Sequence, residues 1–177
     1  MRIDVFTLFP EWFGWFGEQR HVRNAVEGGS ELRFFQYRDS TPLTGGQVDD
    51  SPYGGGAGMV LRVDVVDAAL RAAYGESGPA RVILLAPSGR QLDDGLASEL
   101  AAEPHLALLC GRYEGVDERV RDHLADDAVS VGPYVLSGGE LAAMVLADAV
   151  LRKLPGALGH ADSAVEESFS EALEGRP

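Results

Sequence analysis

The chain holds a single cysteine, Cys110, among 177 residues, so no internal disulfide framework is available and a reducing compartment is expected. Basic residues are scarce. Fifteen Lys and Arg stand against 28 Asp and Glu, giving a formal charge of −13. Proteins that grip nucleic acid through phosphates usually carry the opposite excess, so any such partner requires a local basic site or a second basic part. No apolar run approaches the roughly 20 residues that span a bilayer, so no membrane role is expected. The opening Met1-Arg2-Ile3-Asp4 lacks a signal-peptide core, and the expectation is a cytoplasmic protein. Neither G-x-G-x-x-G opening a first helix nor G-x-x-x-x-G-K-[ST] occurs, which disfavours dinucleotide and triphosphate pockets. His21, His105, His123 and His160 stand apart and in no ligand-spaced motif, so no metal site is indicated.

What is present reads as one α/β domain. Residues 2–8 (RIDVFTL) suit a strand, and Pro10 stops it. Trp12, Trp15 and Phe16 recur at helical spacing, predicting a helix over 11–26 closed by Gly28-Gly29, its aromatics packed in the core. A strand over 32–37 precedes an irregular stretch, 38–58, which contains Asp49-Asp50 as a solvated turn and ends in a glycine run. Val66, Ala69, Leu70 and Ala73 mark an amphipathic helix over 63–74. RVILLA (81–86) and HLALLC (105–110) are continuous apolar strands of the kind buried on both faces of a parallel sheet. The remaining expectations are a turn at 87–90, helices over 93–102, 116–124 and 140–154, and a strand over 128–131. Cys110, ending an apolar strand with no adjacent base, reads as a small core residue, and His105 as a packed or capping one.

Glycine is abundant, 22 residues, and clusters in three loops that follow buried strands: 87–90, 111–115 and 132–139. Ligands in open α/β sheets sit outside the carboxyl ends of the strands, so these loops can converge on one backbone-lined pocket. For any single loop, a plain turn is the better reading.

Five strings occur in order along the chain: FTLFP (6–10), YGGGAGM (53–59), LLAPSGR (84–90), CGRYEGVDER (110–119) and YVLSGGE (134–140). Together they resemble bacterial tRNA (guanine-37-N1)-methyltransferase of the SPOUT class, across essentially the whole sequence. The resemblance implies a mostly parallel α/β sheet flanked by helices, with a C-terminal trefoil knot between about 81 and 154. It implies binding of S-adenosyl-L-methionine and a homodimer in which each active site borrows residues from its partner. By motif position the cofactor pocket comprises Leu84, Leu85, Pro87 and Gly89 from the first loop and Gly111, Tyr113 and Glu114 from the second. Val131, Gly132, Tyr134, Leu136, Gly138 and Gly139 complete it. The implied reaction is methylation of N1 of guanosine 37 in tRNA. It needs a carboxylate to take the N1 proton and a guanidinium to stabilise charge on the ring. Those roles match Glu167, where the family usually has Asp, and Arg152; Asp162 and Glu166 are alternative carboxylates. The family is associated with Mg²⁺, for which no local ligand cluster identifies a site.

Two further departures from the pattern stand out. Pro133 occupies a position where Asp is common, and it removes an N–H from the third loop. The family pattern also continues beyond Pro177 into a small helical domain. On this reading 1–160 form the knotted cofactor-binding domain, and 161–177 an acidic flexible segment that starts the interdomain linker. An S-adenosylmethionine-binding dimer without tRNA methylation, or another SPOUT RNA methyltransferase, remains the alternative at this level.

Overall fold

The computed structural model describes residues 1–158 except 53, 76 and 80, together with 168 and 169. In chain order the strands are β1 (Arg2–Thr7), β2 (Glu31–Gln36), β3 (Asp49–Asp50), β4 (Val60–Leu61), β5 (Arg81–Gln91), β6 (His105–Cys110) and β7 (Asp127–Ser130). The α-helices are α1 (Gly14–Gly17), α2 (Arg20–Glu27), α3 (Tyr37–Ser40), α4 (Val63–Tyr74), α5 (Asp94–Ala101), α6 (Glu118–His123) and α7 (Glu140–Arg152). Five strands form one sheet in the order β2-β1-β6-β5-β7, with every pairing parallel.

The continuous apolar strands are explained by burial on both sides. Ile83, Leu85, Leu106, Leu108 and Cys110 face one layer with Ile3 and Val5, packed against α2, α5 and α7. Val82, Leu84, Ala107 and Leu109 face the other with Phe6, packed against α4 and α6. Successive side chains point to opposite faces of a strand, so both sets must be apolar once helices cover both faces.

Several sequence expectations are corrected. The helix expected over 11–26 is three pieces: a 3₁₀ turn at Pro10–Phe13, α1 and α2, with Gln19 extended at the start of α2. Gly14 and Gly17, poor helix formers, sit in the interrupted part. Of the aromatics at helical spacing only Phe16 is buried, beside the equally buried Phe13, whereas Trp12 and Trp15 are exposed rather than core. Residues 87–90 are not a simple turn: β5 runs on to Gln91, its register with β7 shifting between Leu85 and Arg90. The stretch 38–58 contains α3 and β3, and β3 pairs antiparallel with β4. Asp49-Asp50 therefore lie in a strand rather than a solvated turn; Asp50 accepts a hydrogen bond from Arg62 at 2.7 Å. Helix α7 ends at Arg152, two residues short of the expected boundary.

At the amino ends of the strands, His105 packs through a hydrogen bond to the buried Asp4 at 2.8 Å. Asp4 also accepts two bonds from Arg33 and one from Tyr74. At the opposite ends the chain leaves edge strand β7, runs through 131–139 and returns to β6, where Gly139 N donates to Gly111 O at 2.9 Å. That return crosses β5, which lies between β7 and β6.

Candidate active site

A cleft of about 310 Å³ opens at the carboxyl ends of β5, β6 and β7. Its walls are the three strand-end segments: 84–88, 111–116 and 129–139. The structure brings Leu84, Leu85, Pro87, Gly111, Tyr113, Glu114, Val131, Gly132, Tyr134, Leu136, Gly138 and Gly139 to this one cavity. Gly89 is the exception. A β-carbon there would stand 2.5 Å from the backbone of Ala128 and Val129, so this glycine lets β5 press against β7 behind the cleft instead of lining it.

Each wall has a local reason for its shape. In the second, Tyr113 adopts φ +65°, a left-handed conformation that is strained for a bulky residue. Backbone bonds hold it there: Glu114 N donates to Met59 O, Leu61 N to Gly115 O, and Asp117 N to Leu61 O. The end of the glycine run thus lies against Glu114 at the cleft, where a β-carbon on Gly58 would overlap the Glu114 side chain. In the third wall, Ser130 Oγ bonds both Gly132 O and Gly132 N, and Tyr134 folds its ring over Gly132 where a β-carbon would collide with it. Tyr134 N donates to Gly132 O across Pro133, whose own missing N–H leaves this turn intact. A β-carbon on Gly139 would lie 2.7 Å from Cys110 Cα, so α7 approaches β6 this closely only without a side chain.

Behind the second and third walls is a buried polar group that sequence reasoning missed. Glu140, fully buried at the start of α7, accepts bonds from Thr7 Oγ1 at 2.8 Å and Arg112 Nε at 3.1 Å. Arg112 Nη1 donates to Ser137 O at 3.1 Å. The string YVLSGGE displays the glutamate, but its partners lie 28 and 133 residues away in the chain, beyond the reach of any spacing argument. Nearby, burial together with the Glu140 charge pushes the Cys110 thiol well up, so it is a packed core residue rather than a nucleophile.

Arg152 lies elsewhere. It lines a second hollow with Asp94, Ala97, Asp148, Lys153 and Phe169, and this hollow shares no lining residue with the cleft. Lys153 is ion-paired with Asp94. Glu167, Asp162 and Glu166 lie outside the described residues. Among those described, no group of three or more His, Cys, Asp or Glu could hold a metal ion. No helix of the described residues is long and apolar enough to cross a membrane.

A family model described as tRNA (guanine-1)-methyltransferase TrmD matches residues 1–177. The chain belongs to this methyltransferase family. A curated relative from Brevibacillus brevis, named tRNA (guanine-N(1)-)-methyltransferase, is 51% identical over 176 residues, covering 98% of this chain and 71% of its own. One of the same name from Geobacillus kaustophilus is 47% identical over 174 residues, with the same coverage of both chains. The crystal structure of tRNA (m1G37) methyltransferase from Aquifex aeolicus superposes with a TM-score of 0.81 at 38% identity. That match covers 90% of this chain and 72% of the other. The methyltransferase family implies use of S-adenosylmethionine, and the cleft suits it. Its volume is at the lower end for small-molecule pockets, and its walls are glycine-shaped backbone with an apolar floor from Leu84, Leu85 and Leu136.

Proposed function

We propose that the chain transfers a methyl group from S-adenosylmethionine to N1 of guanosine 37 in tRNA. The observation that carries this reading is the convergence of three strand-end segments on one cleft, two of them shaped by glycine, in a member of this family. The bound donor would supply an electrophilic methyl group. Leu84, Leu85 and Leu136 would exclude water from it, and the backbone of 131–139 would orient it, with the exposed Glu114 carboxylate at the rim.

The acceptor needs two groups of this chain. Neutral guanine has no free lone pair at N1, so a carboxylate must take the proton; we assign Glu167, with Asp162 and Glu166 as alternatives. Negative charge then spreads toward O6, where the Arg152 guanidinium would stabilise it.

Arg152 and the cleft are on separate hollows of one chain, which favours an active site completed by a second copy. Helix α7 supports such an interface: Leu141 and Val145, one turn apart, are about half exposed on the helix that also carries Arg152. The acidic balance of the chain requires a local basic site or a second basic part for tRNA contacts.

The test is transfer of labelled methyl from S-adenosylmethionine to a tRNA carrying guanosine at 36 and 37, with the product nucleotide mapped by mass spectrometry. Label at N1 of guanosine 37 is the expected result. Donor binding without transfer would reduce the chain to a cofactor-binding module, and label elsewhere would make it a different RNA methyltransferase.

A further inference from the structure

The buried Arg112–Glu140 pair has no part in the mechanism above, yet its position bears on the cleft. The Arg112 side chain is only 15% exposed and makes contacts in three directions. Nε reaches Glu140 in α7, Nη1 reaches the Ser137 carbonyl in the third wall, and Arg112 is itself one of the residues of the second wall. Its guanidinium carbon sits 4.5 Å from the Phe9 ring centroid and 4.7 Å from that of Trp12, and those two rings stack on each other. Nη2 is buried with no acceptor among the described residues, so the guanidinium is held there at a cost to stability. Gly138 is a consequence of the same arrangement. A β-carbon on it would lie 2.5 Å from Glu140 Oε2 and overlap Arg112 Nε, so the third wall passes directly over the ion pair.

A pair that served only to bind α7 to the sheet would not need to hold the Ser137 carbonyl. We infer that Arg112 is a positioning residue for the donor cleft: braced by Glu140 and the Phe9–Trp12 stack, it holds the 132–139 wall against the 111–115 wall. Arg112 acts through Ser137 and Gly138. Trp12, in contact with the guanidinium and 40% exposed, then senses whether the walls are held together. This inference rests on reading the cleft as the S-adenosylmethionine site.

The test measures affinity for S-adenosylmethionine and S-adenosylhomocysteine by calorimetry, and Trp12 fluorescence in a Trp15→Phe background where it is the remaining indole. Arg112→Lys keeps the charge but cannot make both the Glu140 and Ser137 bonds in one fork geometry. It is expected to weaken binding roughly tenfold and to abolish the fluorescence change on ligand addition. Glu140→Gln should weaken binding similarly, and the double variant should be no worse than the weaker single one, since both break one unit. Trp12→Leu, a half-exposed position, should weaken binding about two- to threefold without unfolding the chain. If variants melt earlier but bind with unchanged affinity, the pair is purely structural and the inference fails. Should Arg112→Lys and Glu140→Gln not fold, unchanged affinity in Trp12→Leu overturns it alone. If the unsubstituted chain binds neither ligand, the reading of the cleft itself fails, a distinct result.

Discussion

At the scale of single residues, position separates the side chains proposed to work from those that hold. Arg152 is the sharpest case of the first kind. It lines a different hollow from the cleft, so Arg152→Ala is expected to leave S-adenosylmethionine affinity unchanged by calorimetry. Turnover should fall by about 2.7–4 kcal/mol, the loss typical of one charge-stabilising donor. Unchanged turnover would mean the guanidinium is misassigned. If Glu167 is the base as proposed, Glu167→Asp should keep activity and Glu167→Gln lose it in the same assay, because the amide cannot take the N1 proton. Asp4 holds rather than works. Burial pushes its carboxyl up, but hydrogen bonds from Arg33, Tyr74 and His105 outweigh that and leave it below the ordinary carboxylate value. A depressed folded-state pKa adds stability above the unfolded value near 3.9, lost as pH falls through the folded value. Asp4→Asn should therefore cost about 3 kcal/mol near neutrality in urea melts, and the gap to the parent should narrow below about pH 4. A gap constant down to pH 2 would contradict this.

At the scale of elements, glycines decide how closely strands and helices approach. Gly89 belongs by motif to the donor pocket and by geometry to the β5–β7 contact, where Ala128 and Val129 leave no room for a β-carbon. Gly89→Ala is expected to destabilise the fold by about 1–3 kcal/mol, as overpacking does, lowering the melting temperature of the ligand-free chain. A normal melting temperature with lost ligand affinity would return Gly89 to the pocket. Helix α4 has the boundaries its periodicity predicts, and Val66 and Ala69 of the stripe are buried against the sheet, joined by Val65, while Leu70 and Ala73 pack at its edge. The region 10–27 does not, because its aromatic spacing is helical while two glycines interrupt the backbone that would carry it.

At the scale of the whole molecule, the separation of Arg152 from the cleft makes assembly a testable part of the proposed chemistry. Mixing Arg152→Ala subunits with subunits whose cleft is filled by Leu136→Trp should restore activity that neither has alone. Random exchange predicts about a quarter of the parent rate, from half the dimers being mixed and one site in each being complete. No recovery after confirmed subunit exchange would place donor and guanidinium in the same chain. Leu141→Glu with Val145→Glu should yield monomers by sedimentation if the exposed side of α7 is the interface.

The sequence by itself determined the layered α/β class, the two continuous apolar strands and the strand-end loops. These follow from local rules: a two-residue period along strands, a 3.6-residue period along helices, and glycine wherever the backbone must turn. Only the tertiary structure decided that Gly89 packs a strand, that Arg152 stands apart from the cleft, and that Glu140 meets Arg112 and Thr7. Such pairings join positions distant in the chain, and packing in three dimensions rather than any periodicity selects them. Burial then makes their hydrogen bonds obligatory.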